Sequence, residues 1–129
     1  MFEAPELMRM AQELARHSGL RQSVTARNIA NADTPDFRAR DIESFAETYQ
    51  KQDRQVAARM TREGHIAAGR GHATWSTVEV PGRASPNGNT VSLEEEMVRG
   101  TQAQSSHTLA LTVYKSSLDI LRTALGRGR

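Results

Sequence analysis

The sequence predicts a mainly α-helical protein in which two long terminal helices form an antiparallel coiled-coil hairpin, joined by a largely irregular middle segment. Two observations favour this fold class. All nine leucines lie before residue 21 or after residue 92, so the apolar periodicity is confined to the two ends of the chain. Residues 64–88 hold five of the nine glycines and two of the four prolines, which is typical of loops.

The first helix is predicted from about Glu6 to Asn31. Pro5 suits its first turn, because the ring presets a helical φ and the missing N–H has no partner there. The positions that follow a 3–4 spacing are Leu7, Met10, Leu14, His17, Arg21, Val24, Asn28 and Asn31. Only four of these eight residues are apolar, so the predicted seam of this helix is weak.

The stretch that ends this helix is the most informative part of the sequence. Asn28 and Asn31 lie on one helical face, where their amides can bond a partner helix or a neighbouring subunit. Pro35 then stops the helix, since it has no N–H and excludes Thr34 from the α region. The expected contact residues of this stretch are Asn28, Ile29, Asn31, Asp33, Thr34, Pro35 and Phe37.

The middle of the chain carries two weaker signals. A short helix is expected within Asp41–Met60, where apolar residues between Ile42 and Tyr49 share one face. The run Val78–Val80 is strand-like and fits a small β-hairpin near residues 75–80.

The second long helix is predicted from Leu93 to Leu125. Its seam positions follow an unbroken 4–3 spacing, which is the pattern of a coiled coil. These positions are Leu93, Met97, Gly100, Gln104, His107, Leu111, Tyr114, Leu118, Leu121 and Leu125. Ser92 and Glu95 form a candidate capping box at its start, and Gly126 is a natural stop.

These elements divide the chain into a helical coiled-coil domain, residues 1–37 and 88–129, and an irregular insert, residues 38–87. The two seams admit two interpretations: an intramolecular hairpin, or a subunit that completes its core by assembly. Leu, Ile, Val and Phe make up only 23 of the 129 residues, so the chain is poor in core material. A single narrow helix pair buries little apolar surface, which favours assembly.

Composition excludes several kinds of site. The chain has no cysteine, so it forms neither disulfides nor cysteine-ligated metal centres. No apolar run is long enough to span a membrane, and the N-terminus lacks the basic and apolar regions of a cleaved secretory signal. His65 and His72 lack metal-ligand spacing, and no phosphate-binding loop or nucleophile elbow is present. We therefore expect no cofactor, no metal and no enzymatic activity, and a hydrolase using these histidines is a minor alternative.

The basic residues suggest a second alternative. Fifteen of the seventeen are arginine, and Lys51, Arg54, Arg59, Arg62 and Arg70 lie close together. A small arginine-rich nucleic-acid-binding or helical adaptor protein would fit this cluster. However, no aromatic residues are interleaved for stacking on bases, and fifteen acidic residues nearly balance the charge. A solvated or subunit-bridging face is favoured, so we expect no nucleic-acid partner.

A family resemblance adds to this interpretation. The run from Asn28 to Pro35, the residues Asn89–Met97 and the C-terminal heptads resemble the bacterial flagellar basal-body rod protein family, and within it the proximal rod type. The family usually has a glycine followed by an aromatic residue after the proline, where this chain has Asp36 and Phe37. It usually has asparagine at the position of Arg27. An aspartate in the left-handed region is tolerated at a small cost.

The resemblance implies a structural subunit of the proximal rod. Such subunits pack their paired terminal helices into the inner wall of a hollow helical drive shaft, and the insert faces outward. The implied partners are copies of itself, other rod proteins, the rod–ring junction protein, the membrane-supramembrane ring and the flagellar export gate. The implied location is the periplasmic rod of the basal body, reached by type III export without a cleaved signal peptide.

Overall fold

Two long helices dominate the fold. The computed structural model describes residues 4–55 and 73–126. In chain order its elements are helix α1 (Ala4–Ala30), strand β1 (Arg40–Ile42), helix α2 (Phe45–Gln55), strand β2 (Thr77–Glu79) and helix α3 (Leu93–Ala124). The predicted fold class is confirmed, since α1 and α3 span 27 and 32 residues and pack against each other.

The start of α3 lies where it was predicted, but the capping box does not form. Ser92 occupies the N-cap position with an extended backbone, and its side chain makes no capping hydrogen bond. Glu95 pairs instead with Arg99, one turn further along the helix. The acidic first turn still suits a helix N-terminus, because the helix dipole favours negative charge there.

Helix α2 begins at Phe45 rather than at Asp41, because Asp41 and Ile42 belong to strand β1. Residues 56–60 of the predicted helix lie outside the described residues. The strand-like run near Val78 is confirmed as β2, which pairs antiparallel with β1. The register sets Arg40 opposite Glu79 and Ile42 opposite Thr77. The sheet therefore joins two segments that are far apart in sequence, instead of a tight local hairpin.

The two long helices run antiparallel. Ile29 near the end of α1 borders the same groove as Met97, whereas Ser18 near its middle lies beside Ala103. Residue numbers therefore rise along α1 as they fall along α3.

Small and polar side chains, spaced seven residues apart, form the contact between α1 and α3. On α1 these buried residues are Ala11, Ser18 and Thr25, and on α3 they are Glu96, Ala103, Ala110 and Ser117. A spacing of seven keeps a column of residues on one side of a supercoiled helix pair. Because these side chains are small, the two helix backbones can approach closely.

The apolar interior is correspondingly thin. Within the described residues, the buried apolar side chains are Ala11, Ala39, Ile42, Ala73, Ala103 and Ala110. Ile42, at the end of β1, is the only large side chain in this set. The thin interior agrees with the low content of large aliphatic residues in the sequence.

Candidate functional site

Asn28 fixes strand β1 against the last turns of α1. Its Nδ2 donates to the Arg40 carbonyl at 2.7 Å, and its Oδ1 accepts from the Arg40 N–H at 3.1 Å. The side chain is 1% exposed. The amide therefore acts as a substitute for a neighbouring strand, and it satisfies both backbone groups of Arg40. Its partner is the backbone of its own chain.

Asn31 behaves differently, although it shares the predicted face. Its Nδ2 donates to the Arg27 carbonyl at 2.8 Å, one turn back in the same helix. Its Oδ1 accepts from the Thr34 hydroxyl at 3.1 Å. Both hydrogen bonds are exposed and local, so the Asn31 side chain shapes the end of α1 through its own neighbours.

Asn89 makes the long-range contact at this end of α1. Its Nδ2 donates to the carbonyls of Asn31, Ala32 and Thr34 at 2.8–2.9 Å. Its Oδ1 accepts from the Val91 N–H at 2.7 Å, just before α3 begins. The side chain is 2% exposed. One buried amide thus satisfies carbonyls left open by the end of α1 and also orders the approach to α3.

We call residues 31–37 and 85–92 together the joint. Besides Asn89, Thr90 links the two segments of the joint, because its N–H donates to the Phe37 carbonyl at 3.0 Å. The Thr90 hydroxyl accepts from the Ala39 N–H at 2.8 Å. The Asp36 N–H donates to the Asn87 carbonyl at 3.0 Å. The exit from α1 and the approach to α3 therefore form one hydrogen-bonded unit.

Sequence reasoning did not assign a role to Asn89 or Thr90, although both belong to the stretch that carries the resemblance. A polar Asn-Thr pair placed just before a helix start is the signal that could have marked them. The residues Asp33, Thr34 and Pro35 are exposed, Phe37 is half-buried, and Ile29 is 42% exposed. The expected contact residues around the joint are thus accessible, apart from Asn28.

Asp36 adopts the left-handed backbone conformation that the sequence had left open. Its φ is 58°, a region in which an L-residue other than glycine is strained and aspartate is better tolerated than most. Gly88 lies against it with a φ of 83°, and a Cβ on Gly88 would fall 2.1 Å from the Asp36 Oδ1. The two left-handed residues therefore fit together only because position 88 has no side chain.

The predicted leucine seam of α3 lies largely on its surface. Leu93, Met97, Leu111 and Leu125 are 51–85% exposed. Tyr114, Leu118 and Leu121 are half-buried, as are Leu7, Met10, Leu14 and Val24 on α1. The spacing predicted the helix correctly, but the small residues of the neighbouring column, and not these leucines, lie at the centre of the contact with α1.

A second group of large apolar residues is exposed on another side of α3. Val98, Leu109 and Ile120 recur every eleven residues, which corresponds to three helical turns, so they share one face. They are 56–63% exposed. Helix α3 therefore carries two exposed apolar flanks, one of Leu93, Met97, Leu111 and Leu125 and one of Val98, Leu109 and Ile120.

Comparison of the sequence with characterised proteins identifies the family of this chain. A flagellar basal body rod protein FlgB of Salmonella typhimurium is 33% identical over 129 residues, which covers 94% of each chain. The protein of the same name from Agrobacterium fabrum is 32% identical over 120 residues and 86% of each chain. The chain belongs to the FlgB family of flagellar basal body rod proteins. The Escherichia coli FlgB is also similar, at 31% identity over 131 residues. No family model matches the chain.

In this FlgB family member, a network of charges connects α1, β1 and α3. The Arg21 guanidinium donates to both carboxylate oxygens of Asp41, at 3.0 and 2.9 Å. Arg99 of α3 lies 3.9 Å from the same carboxylate and pairs with Glu95 and Glu96. Burial raises the pKa of Asp41, but the hydrogen bonds from Arg21 and the Ile42 N–H, with the charges of Arg21 and Arg99, lower it below its ordinary value.

His17 connects α1 to the chain on either side of α2. Its Nε2 donates to the Glu43 carbonyl at 2.8 Å, and its ring packs edge-on against Phe45 and Trp75. Burial lowers the pKa of His17, and the charge of Arg21 adds to this effect against the opposing Glu43 hydrogen bond and Asp41 charge. These contacts agree with a packing role for His17. His107, the other seam histidine, is half-buried on α3.

The remaining candidate sites can be placed as follows. Within residues 4–55 and 73–126, no three His, Asp or Glu side chains are grouped so that they could hold a metal ion. None of the helices in these ranges is both long and apolar enough to cross a membrane. His65 and His72 lie outside the described residues, as do Arg59, Arg62 and Arg70 of the basic cluster. Lys51 is exposed on α2.

Proposed function

We propose that this chain is a structural subunit of the proximal flagellar rod that polymerises through its terminal helices into the hollow helical drive shaft. Membership of the FlgB family supports the rod, and the two apolar flanks of α3 support the polymer. Helix α3 exposes seven large apolar residues along two sides, and burial of exposed apolar side chains against other subunits would favour assembly.

The position of the flanks supports contacts with more than one neighbour. The flank of Leu111 and the flank of Leu109 lie on different sides of α3, and the buried column faces α1. A subunit with apolar surface on two sides can bind one neighbour with each, which generates an open helical polymer rather than a closed pair.

In the proposed arrangement, residues 1–37 and 88–129 form the inner wall and residues 38–87 face outward. The proposed partners are further copies, other rod proteins, the rod–ring junction protein, the membrane-supramembrane ring and the export gate. The chain would reach the periplasmic rod by flagellar export without a cleaved signal peptide. Its role is structural and requires no enzymatic chemistry.

The single observation that supports the proposal is the exposure of the leucines in the two apolar flanks of α3. Substitution of these leucines tests the proposal directly. Leu111→Ser and Leu109→Ser each remove one apolar side chain that is more than half exposed, from different flanks. We expect both variants to keep the helical circular dichroism spectrum that the wild type shows at low concentration, before it assembles, and to lose assembly into rods, with a loss of swimming motility.

Thr108→Ala is the matched control, because Thr108 is exposed on α3 between the two flanks. It should assemble and support motility as the wild type does. Leu118→Pro should abolish assembly for a different reason, since a proline inside the helix costs about 3 kcal/mol or more. Normal basal bodies with both serine variants would contradict the proposal.

A further inference from the structure

Three arginines converge on one cleft beside the end of α1. Arg27 of α1, Arg38 of the following turn and Arg40 of β1 line a cavity of about 350 Å³, together with the apolar side chains of Val24 and Phe37. We call this the arginine cleft. Such a group of guanidinium ions around an apolar floor is suited to carboxylates, which each planar guanidinium can bind through two hydrogen bonds.

The backbone beneath these side chains is fixed. The Asn28 amide bonds both the N–H and the carbonyl of Arg40, at 3.1 and 2.7 Å. The Arg27 carbonyl accepts from the backbone N–H and the side-chain amide of Asn31, at 3.2 and 2.8 Å. Arg27 and Arg40 therefore extend from hydrogen-bonded backbone, so a partner does not have to order the chain at these two positions.

The charge of the arginine cleft is not balanced within the part of the chain that the structure describes. Arg38 lies 3.7 Å from Glu79, but both side chains are about 60% exposed, and such a pair contributes little. Arg27 and Arg40 make no ion pair with any described residue. Of the described residues that line the cleft, Asp36 is the acidic one. An incoming pair of carboxylates would relieve the mutual repulsion of the three cations.

We propose that the arginine cleft binds the acidic start of helix α3, Glu94 and Glu95, of a second copy of this chain. The proposal rests on the proposed function and specifies one contact in the polymer. Glu94 and Glu95 are exposed in the first turn of α3, and Leu93 and Val98 next to them are 52% and 56% exposed. This surface combines acids with apolar side chains, and it is complementary to a cleft that combines arginines with Phe37 and Val24.

The geometry of such a contact suits a polymer. The arginine cleft lies on the β1 side of α1, whereas Glu94 and Glu95 border a separate groove. The other residues of that groove are Arg21, Val98, Arg99 and Gln102, and Glu95 pairs with Arg99 there at 3.3 Å, so Glu94 is its acid without an ion pair among the described residues. Because the two surfaces are different, each copy can donate its α3 start to one neighbour and accept that of another. A heterologous contact of this kind adds copies one after another, as a ring where the rotation between them closes and as an open helix where it does not.

Two charge reversals test the contact. In the full-length chain, Arg27→Glu with Arg40→Glu makes the cleft acidic, and Glu94→Arg with Glu95→Arg makes the start of α3 basic. We expect each double variant alone to self-associate about 10- to 100-fold more weakly than the wild type, as measured by sedimentation velocity, because like charges then meet at the contact.

An equimolar mixture of the two double variants should recover assembly. In the mixture, the acidic cleft of one variant meets the basic α3 start of the other, and the original charges pair at the alternate contact. Recovery on mixing would not follow from damage to either fold. Recovery should decrease as salt concentration rises, because exposed charges are screened. Failure of the mixture to assemble more tightly than its components would overturn the proposal.

The controls separate this proposal from its alternatives. Arg83→Glu and Glu47→Arg reverse exposed charges elsewhere and should assemble as the wild type does. If Arg27→Glu with Arg40→Glu fails to fold, Arg27→Gln with Arg40→Gln removes the positive charge without adding negative charge, and weaker association is again the expected result. Wild-type assembly by the reversed variants would overturn the proposal, and DNA binding that only the cleft variant loses would assign the cleft to nucleic acid instead.

Failure of this contact is distinguishable from failure of the proposed function. If Leu111→Ser abolishes assembly but the charge reversals leave it unchanged, the polymer is supported and the arginine cleft is excluded from its interface. If Leu111→Ser and Leu109→Ser assemble like the wild type, the proposed function itself fails.

Discussion

At the scale of single residues, the side chain of Asn89 forms four hydrogen bonds within the joint. Its amide group serves three carbonyls from the end of α1, and its side-chain oxygen orders the backbone before α3. The side chain is almost completely buried, so water cannot replace it. Removal of this one side chain takes the hydrogen-bond partner from the Ala32 carbonyl and the Val91 N–H, whereas the Asn31 and Thr34 carbonyls keep the N–H groups of Thr34 and Phe37. A buried backbone group left without a partner costs about 1–3 kcal/mol.

We expect Asn89→Ala to lower the free energy of unfolding by about 3 kcal/mol, because the Ala32 carbonyl and the Val91 N–H lose their partner and the link between the α1 exit and the α3 approach is broken. Asn31→Ala is the matched control, since its hydrogen bonds are exposed and local. It should cost less than about 1 kcal/mol. Urea denaturation of the two variants provides the measurement, and equal losses would contradict the distinction drawn between the two asparagines.

Between elements, His17 is the side chain that couples α1 to the segments around α2. It donates to the Glu43 carbonyl and packs between Phe45 and Trp75. Burial and the charge of Arg21 lower its pKa, while the Glu43 hydrogen bond and Asp41 oppose them. The folded protein therefore binds the proton of this imidazole more weakly than the unfolded chain does. Stability is fully present above the ordinary pKa of about 6.5 and decreases as the pH falls through that value toward the lower folded pKa.

We expect the free energy of unfolding of the wild type to fall as the pH is lowered from about 7 to about 5. His17→Gln keeps a donor for the Glu43 carbonyl but does not titrate, so its stability should change less over the same range. Denaturant titrations at several pH values measure the two slopes. Identical slopes would show that His17 does not contribute to the pH dependence.

The contact between α1 and α3 depends on small side chains. Ala110 is 1% exposed and faces α1, whereas its neighbour Leu109 is 58% exposed. We expect Ala110→Leu to destabilise the helix pair by about 1–3 kcal/mol, because a larger side chain forces the backbones apart. Leu109→Ala should change the free energy of unfolding by less than about 1 kcal/mol. Thermal unfolding at low protein concentration measures both changes. A larger loss of stability in Leu109→Ala than in Ala110→Leu would show that the Leu109 face of α3, and not the Ala110 face, contacts α1.

At the scale of the whole molecule, the fold provides a narrow helix pair with a small sheet attached. Among the residues that the structure describes, the interior consists mainly of alanines and buried polar groups, and ten large apolar side chains are exposed. A polymer would bury those side chains and stabilise the folded state by mass action.

We therefore expect the melting temperature of the wild type to rise with protein concentration and the helical circular dichroism signal to strengthen as assembly proceeds. The Leu111→Ser variant should show a melting temperature that is independent of concentration. A wild-type melting temperature that stays constant while the protein assembles would indicate that the apolar flanks are not buried on assembly.

The sequence predicted the parts of this fold that depend on local chemistry. Pro35 and the 4–3 spacing from Leu93 were sufficient for the end of α1 and the extent of α3. The role of Asn89 was not predictable, because its acceptors lie 55–58 residues away. Nor did the spacing show which face of α3 meets α1. Seams are recognised by large apolar residues, whereas the buried residues of α3 are small or polar: Glu96, Ala103, Ala110 and Ser117.

The hydrogen bonds of Asn89 also determine the order in which the chain can fold. As the polypeptide emerges from the ribosome N-terminus first, α1 is complete long before residue 89 has been synthesised. Until then its terminal carbonyls lack the amide that bonds them, and its column of small residues lacks α3. The final structure of the joint therefore forms only when the C-terminal third of the chain is available. We therefore expect the joint of a nascent chain to form in a late, long-range step.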